Sequence, residues 1–263
     1  MTPPSDVTPR GVALFAGTPE GVVAETAHLA EELGYSSFWL NHPGRTDGIA
    51  GLAAAAAATE AIDLGVGVVP LHLRSAAAAV DGVREAALPV ERLLLGIGTS
   101  GPGAFRLARD GVAEIRRGLH CRVAMGALSE GACRLAGKIA DGVLLNWLTP
   151  AHAARSAGWI EQGAASAGRP RPRIYAYVRV ALGAGARDRV ETEGARYAGG
   201  SYRSHFEEMG VAPLETAIAA TEPAQVAAGL NAWDGVVDEI VLCFLPASDQ
   251  AESHLELVRA GAP

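Results

Sequence analysis

The sequence has no run of basic residues. Its formal net charge is −7, and a chain with that balance offers no cationic stripe to a nucleic acid or to an anionic membrane. Cysteine is scarce. Cys121, Cys133 and Cys243 stand far apart, with no CxxC and no paired histidines. That argues against a zinc site or a disulfide framework, and for free thiols in a reducing compartment. Long apolar runs are missing as well: the longest, Ala50 to Ala58, is about half of what spans a bilayer. The segment MTPPSDVTPR is polar and proline-rich and has no apolar signal core. These shortages set the expectation of a cytoplasmic protein with no membrane or nucleic-acid partner.

What is present is a core and a rhythm. Hydrophobic residues make up 49% of the 263 positions, enough for a substantial core at a length common among α/β barrels. Eight apolar runs recur: GVALFA (Gly11 to Ala16), SSFWL, IDLGVGVV (Ile62 to Val69), RLLLGIG (Arg92 to Gly98), CRVAMG (Cys121 to Gly126), GVLLNW (Gly142 to Trp147), RIYAYVRVAL (Arg173 to Leu182) and EIVLCFL (Glu239 to Leu245). Helical patterns separate them. The first opens at Thr18, Pro19 and Glu20, carries apolar residues at Val22, Val23, Ala27, Ala30 and Leu33, and stops at Gly34. Before the last run, helical segments are expected near Leu214 to Ala220 and Pro223 to Ala232. Continuous Val/Ile/Leu runs without polar alternation indicate parallel strands buried on both faces. Eight βα units at this length predict an α/β fold, a single (β/α)8 TIM barrel. A doubly wound open sheet is the competitor, but the first turn, AGTPEG, is not GxGxxG. No linker interrupts the alternation, so residues 1–263 are read as one domain.

Barrel sites lie at the C-terminal ends of the strands. Those ends are Asn41-His42, Pro70 to His72, Thr99-Ser100, Met125 to Leu128, Asn146-Trp147 and Pro246 to Ser248. They are rich in glycine, amide, hydroxyl and aromatic groups and poor in carboxylates. No acid pair suits glycosidase chemistry, no acidic cluster suits a metal, and no GxSxG elbow is present. A flat ligand held by backbone contacts, with the His42 imidazole nearby, fits better. Gly67 inside a strand marks a bulge or a close approach to a ligand. Gly126 leaves a strand, Ser129 suits the N-cap of the next helix, and free amides there suit a phosphate. Tyr177 and Arg179 read as barrel-filling and ion-paired, and Tyr202, His205 and Phe206 as a helix face, with a place near the substrate pocket as the alternative.

ELGYSSFWLNH, IDLGVGVVPLHLR, RLLLGIGTSG, MGALSEGACRLAGKIADGVLLNWLTP and AYVRVALG occur in one order. Together they resemble the luciferase-like monooxygenase superfamily, most of all its bacterial branch that uses the deazaflavin coenzyme F420. The resemblance covers about Gly11 to Leu245. It implies a flavin or deazaflavin at the strand ends, with a small organic substrate. His42 matches a histidine that deazaflavin members keep against the ring, and Asn41 stands where an acid often precedes it. Gly67-Val68 matches a strand-3 bulge with a non-prolyl cis peptide behind the ring. Gly98-Thr99 matches the strand-4 end near the cofactor. Ala124, Met125, Gly126 and Ala127 match the loop whose amides hold the phosphate-bearing tail. Asn41, Asn146 and Trp147 are candidate substrate contacts.

The activity this implies is an F420-dependent oxidoreductase. An FMN-dependent monooxygenase is the first alternative, and a barrel without redox function the second. The chain departs from the family pattern twice. GTSGPG lacks the glutamate that several members place after strand 4. About thirty residues that usually precede strand 5 as an active-site cover are also missing, since RRGL runs straight into HCRVAMG. The open mouth this leaves is expected either to be narrowed by a homodimer or to stay accessible, unless Ala198 to Gly210 covers it.

Overall fold

The computed structural model describes residues 7–42, 46–200 and 202–263. Pro43 and Gly44, which the sequence suggests as a chain-breaking turn, lie outside the described residues. Among the described residues nine strands are present: β1 (Arg10–Leu14), β2 (Ser37–Leu40), β3 (Asp63–Pro70), β4 (Leu93–Gly98), β5 (Arg122–Gly126), β6 (Gly142–Asn146), β7 (Arg173–Leu182), β8 (Ala217–Ala220) and β9 (Glu239–Phe244). The strands β1 to β7 pair in parallel in chain order, and β9 closes the ring between β7 and β1. The eight barrel strands are the eight apolar runs. Helices cover the outside: α1 (Glu20–Glu32), α2 (Gly48–Ala58), α3 (Ala76–Glu85), α4 (Ala104–Gly118), α5 (Glu130–Ile139), α6 (Pro150–Ser166), α7 (Ala186–Ala198), α8 (Arg203–Met209), α9 (Pro223–Leu230) and α10 (Ala251–Ala260).

The helix ends follow local chemistry. The start of α1 has Pro19 in the N-cap position and no side-chain cap, so Thr18 does not serve. Its far end is a Schellman turn: Gly34 sits at φ +84, Tyr35 N donates to Ala30 O and Gly34 N to Glu31 O. Ser129 caps α5 through Ala132 N. The expected helix at Leu214 to Ala220 is absent. Pro213–Thr216 forms one 3-10 turn and Ala217–Ala220 becomes β8. The cause lies elsewhere in the chain. The ten-residue β7 runs past the barrel, and its overhang from Arg179 to Leu182 needs a ladder partner.

The barrel interior is packed by large side chains over small ones. Trp39, Tyr175 and Tyr177 fill it together with Leu94, Leu144 and Val241. The Trp39 indole stands edge-on to Tyr175 at 5.2 Å and to Tyr177 at 5.9 Å between centroids, and donates to Ser37 Oγ at 2.6 Å. Ser37 in turn bonds Glu239. Glycines make the room: a Cβ at Gly65 would enter the Trp39 indole, and one at Gly67 would enter the Tyr177 hydroxyl. The close approach that Gly67 permits is thus to the chain's own tyrosine.

Candidate active site at the mouth of the barrel

At Val66/Val69 the β3–β4 register shifts, which is the expected bulge, and the Gly67–Val68 peptide is cis. The bulge turns Val68 sideways across β4 and β5. A Cβ at Gly98 would lie 2.6 Å from Val68 Cγ2, and one at Gly126 3.3 Å from Val68 Cγ1. Gly67, Val68, Gly98, Thr99 and Gly126 are half-buried. They form a shelf on which the side chains are those of Val68 and, at its edge, Thr99.

The neighbouring positions behave differently. Ala124 and Met125 are 0% and 2% exposed and sit within the β5 ladders. Ala127 is buried too, and its N–H donates to Leu144 O at 3.1 Å. These three therefore build the wall. The Ala127 amide is already paired, and Ala124 and Met125 lie inside the ladders. The amide-bearing corner available to an anion begins after them, at the start of α5.

His42 is buried, and its Nδ1 accepts from Gly48 N at 3.1 Å, at the first residue of α2. Burial, the largest cause, holds the imidazole below its ordinary value; Asp47 pulls it up and Arg74 down. Asp47 Oδ1 stands 3.5 Å from Nδ1, while its Oδ2 binds Arg74 at 2.8 Å. The ring is accordingly neutral at pH 7, with its proton on Nε2. Asn41 Oδ1 accepts from Ala16 N at 2.9 Å and ties the β1 loop to the end of β2.

A second cluster occupies the β6–β7 corner. Asn146 accepts from Arg179 through Oδ1 and donates to the Tyr202 hydroxyl at 2.8 Å through Nδ2. Trp147, at φ +53, is fully buried. The Arg179 guanidinium lies 4.1 Å over the Trp147 ring, which packs on Tyr197 and Phe206. His205 bonds Trp147 O at 2.8 Å. The α7–α8 segment therefore covers this half of the mouth. The simple helix-face reading of Tyr202, His205 and Phe206 gives way to a covering role, and Arg179 is not ion-paired to any described residue. Their spacing at i, i+3 and i+4 was the available signal.

Among the described residues the β2–β5 half has no such cover. The passage from α4 to β5 is only Leu119, His120 and Cys121. Phe15, Leu73 and Phe105 expose 52%, 67% and 43% of their surface at this end of the barrel. The cavity of about 30 Å³ beside α8, lined by Ser129, His152 and His205 among others, holds a water or two rather than a ring. Among the described residues no group of three or more His, Cys, Asp or Glu could hold a metal ion. No helix among them is long and apolar enough to cross a membrane.

The family described as luciferase-like monooxygenase matches residues 10–120 and 80–261, the first stretch ending at the α4–β5 passage. No curated protein matches the chain. Solved structures do. One is an F420-dependent secondary alcohol dehydrogenase in complex with an F420–acetone adduct (TM-score 0.75, 14% identity, covering 98% of this chain and 100% of that one). Another is the coenzyme F420 dependent tetrahydromethanopterin reductase from Methanopyrus kandleri (0.70, 17%, 96% and 97%). A third is the oxygenating constituent of 3,6-diketocamphane monooxygenase from Pseudomonas putida, in complex with FMN (0.69, 12%, 97% and 97%). At these identities the likeness is one of fold.

Proposed function

The chain belongs to the luciferase-like monooxygenase family of oxidoreductases, and from that membership and the shape of the mouth we propose that it moves a hydride between coenzyme F420 and a small organic substrate. The observation that carries this reading is the shelf. Val68 lies against Gly98 and Gly126, and no other side chain stands on that floor at those positions. A planar ring needs such a floor, and the shelf is apolar and half-exposed where a ring would rest.

The donor set fits the rest of the group. The N-terminus of α5, after Ser129, offers backbone amides and a positive dipole end to a phosphate. In this reading Gly67, Val68, Gly98, Thr99 and Gly126 seat the ring, with Ala124, Met125 and Ala127 as the wall behind. The bound ring supplies the hydride chemistry. His42 keeps its Nδ1 on the α2 amide, which fixes the tautomer and leaves Nε2–H to donate a hydrogen bond to a substrate oxygen and polarise it. Asn41, bonded to Ala16, holds the loop beside it, and Asn146 and Trp147 form the opposite wall. The α7–α8 segment excludes water on that side. We place the protein in the cytoplasm as one domain, with either a homodimer or open solvent at the uncovered side.

Titrating purified apo-protein with F420 and with FMN tests the reading. Saturable binding of F420 in preference to FMN is expected. Preference for FMN moves the assignment to a flavin monooxygenase, which the FMN-bound structural neighbour also fits. Binding of neither sinks the redox reading.

A further inference from the structure

The β6–β7 corner has more donors than acceptors. Arg179 is 5% exposed, and the oxygens that meet its guanidinium, Asn146 Oδ1 and the Tyr197 hydroxyl, are both uncharged. No described carboxylate pairs with it. Glu193, the acid close enough to influence Tyr197 and Cys243, is held by Arg196 at 3.6 Å. The ring under the guanidinium adds to the imbalance, since Trp147 Nε1 is sealed from solvent and has no partner among the described residues. One register step down the same strand, the Tyr177 hydroxyl is sealed and unpartnered too. Tyr202 uses its oxygen to accept from Asn146. Trp147 O bonds His205.

Burying a cation without a counter-charge is costly, and stacking on an aromatic face offsets it only in part. Orphaned buried donors cost further stability. Arg179 Nε and Nη2 are not among the sealed, unpartnered atoms, and the side chain keeps a sliver of exposed surface. What the corner lacks is an acceptor with negative charge.

We propose that this corner is an oxyanion subsite, with Arg179 as its anchor and the Trp147 indole N–H beside it, and that the substrate carries a carboxylate. A guanidinium presents two parallel donors that match the two oxygens of a carboxylate. The shared chemistry is an oxyanion; assigning it to the substrate rather than to the cofactor's phosphate rests on the redox reading above, which seats the cofactor tail at α5.

Apo-protein, Arg179→Met and Arg179→Lys are titrated with benzoate and, separately, with inorganic phosphate. Calorimetry and tryptophan fluorescence report binding, and F420 is titrated into all three proteins. The wild type should bind benzoate saturably. Arg179→Met should bind it at least tenfold more weakly and melt no lower than the wild type, because an uncompensated charge has been removed. Arg179→Lys, which keeps the charge and loses the fork, should fall between, and decides alone if the Met variant does not fold. F420 affinity should stay within twofold throughout. The proposal is overturned if the wild type binds no benzoate, or if Arg179→Met binds it equally well. It is also overturned if phosphate binds and benzoate does not while the variants lose F420, which would make the anion the cofactor's own. F420 failing in all three proteins, with benzoate still dependent on Arg179, would sink the cofactor reading and leave the subsite standing.

Discussion

Adding one methyl group at Gly98 should weaken cofactor binding without unfolding the barrel. In Gly98→Ala the new Cβ lies 2.6 Å from Val68 Cγ2. Carbon pairs rest at about 3.5–4.0 Å, so the isopropyl group must retreat by roughly 1 Å. Val68 is half-exposed and can turn into the mouth, so the cost to folding should stay below about 1 kcal/mol. A bound ring has no such freedom. Resting on Val68 it makes on the order of 10–20 contacts of ~0.1–0.2 kcal/mol each, and a gap of about 1 Å forfeits up to half of them. That is on the order of 1–1.5 kcal/mol, or about tenfold in Kd. Gly65→Ala is the control. Its methyl would enter the Trp39 indole, which is fully buried, bonded to Ser37 and pinned by Tyr175 and Tyr177. Nothing there can yield, and the variant should lose about 1–3 kcal/mol or more, lowering Tm by several degrees at roughly 2–4 °C per kcal/mol. Its folded fraction should bind cofactor normally. Differential scanning fluorimetry and cofactor titration measure both quantities. Unchanged affinity in a folded Gly98→Ala protein would refute the shelf as the seat of the ring.

His42 should show two separable effects. His42→Ala leaves the buried Gly48 N–H without its acceptor and should cost about 1 kcal/mol in urea unfolding. His42→Asn can restore an acceptor and should cost less, while both lose turnover by more than tenfold per folded molecule; normal turnover in His42→Asn would reduce the residue to a helix cap. Stability should also fall as pH drops below the ordinary histidine value. Burial lowers His42, His152, His205 and His254, so the unfolded chain takes up protons first and stability rises with pH through that window. Glu239, raised by burial, acts in the opposite direction, from the ordinary carboxylate value upward. Urea midpoints that stay flat or rise between pH 7 and pH 5 would contradict the histidine assignment.

The barrel was legible because its strands are buried on both faces, and unbroken apolar runs are what that burial requires. LETAIAA was misread because β8 exists only to complete the overhang of β7, a need invisible within those seven residues. The bulge at Gly67-Val68 was legible through resemblance, but resemblance could not say which amides of Ala124 to Ala127 the ladder had already claimed. That depends on β6, whose Leu144 O takes Ala127 N. Arg179 was half legible. The alternation in RIYAYVRVAL puts Arg173, Tyr175, Tyr177 and Arg179 on one side. Glu239 answers Arg173 at 2.9 Å, whereas the ion pair expected for Arg179 finds no described partner. What sequence does not display is the absence of a second acid one layer higher.

The two halves of the mouth therefore divide its tasks. On the β6–β7 side, Tyr202, His205 and Phe206 restore the cover that the short α4–β5 passage removes elsewhere. That side is built from donors and rings and suits the fixed, polar end of a ligand. On the β2–β5 side, Phe15, Leu73 and Phe105 remain exposed around the shelf. In the proposed hydride transfer water must leave that side to avoid side reactions, and the described chain has no segment over it. Either a second copy supplies the missing apolar surface or the substrate does. A carboxylate anchored at Arg179 would direct the rest of such a substrate away from the covered corner and across the shelf. One bulky acid could then position the reacting carbon and exclude water together, which would explain how an enzyme of this family tolerates losing the cover between β4 and β5.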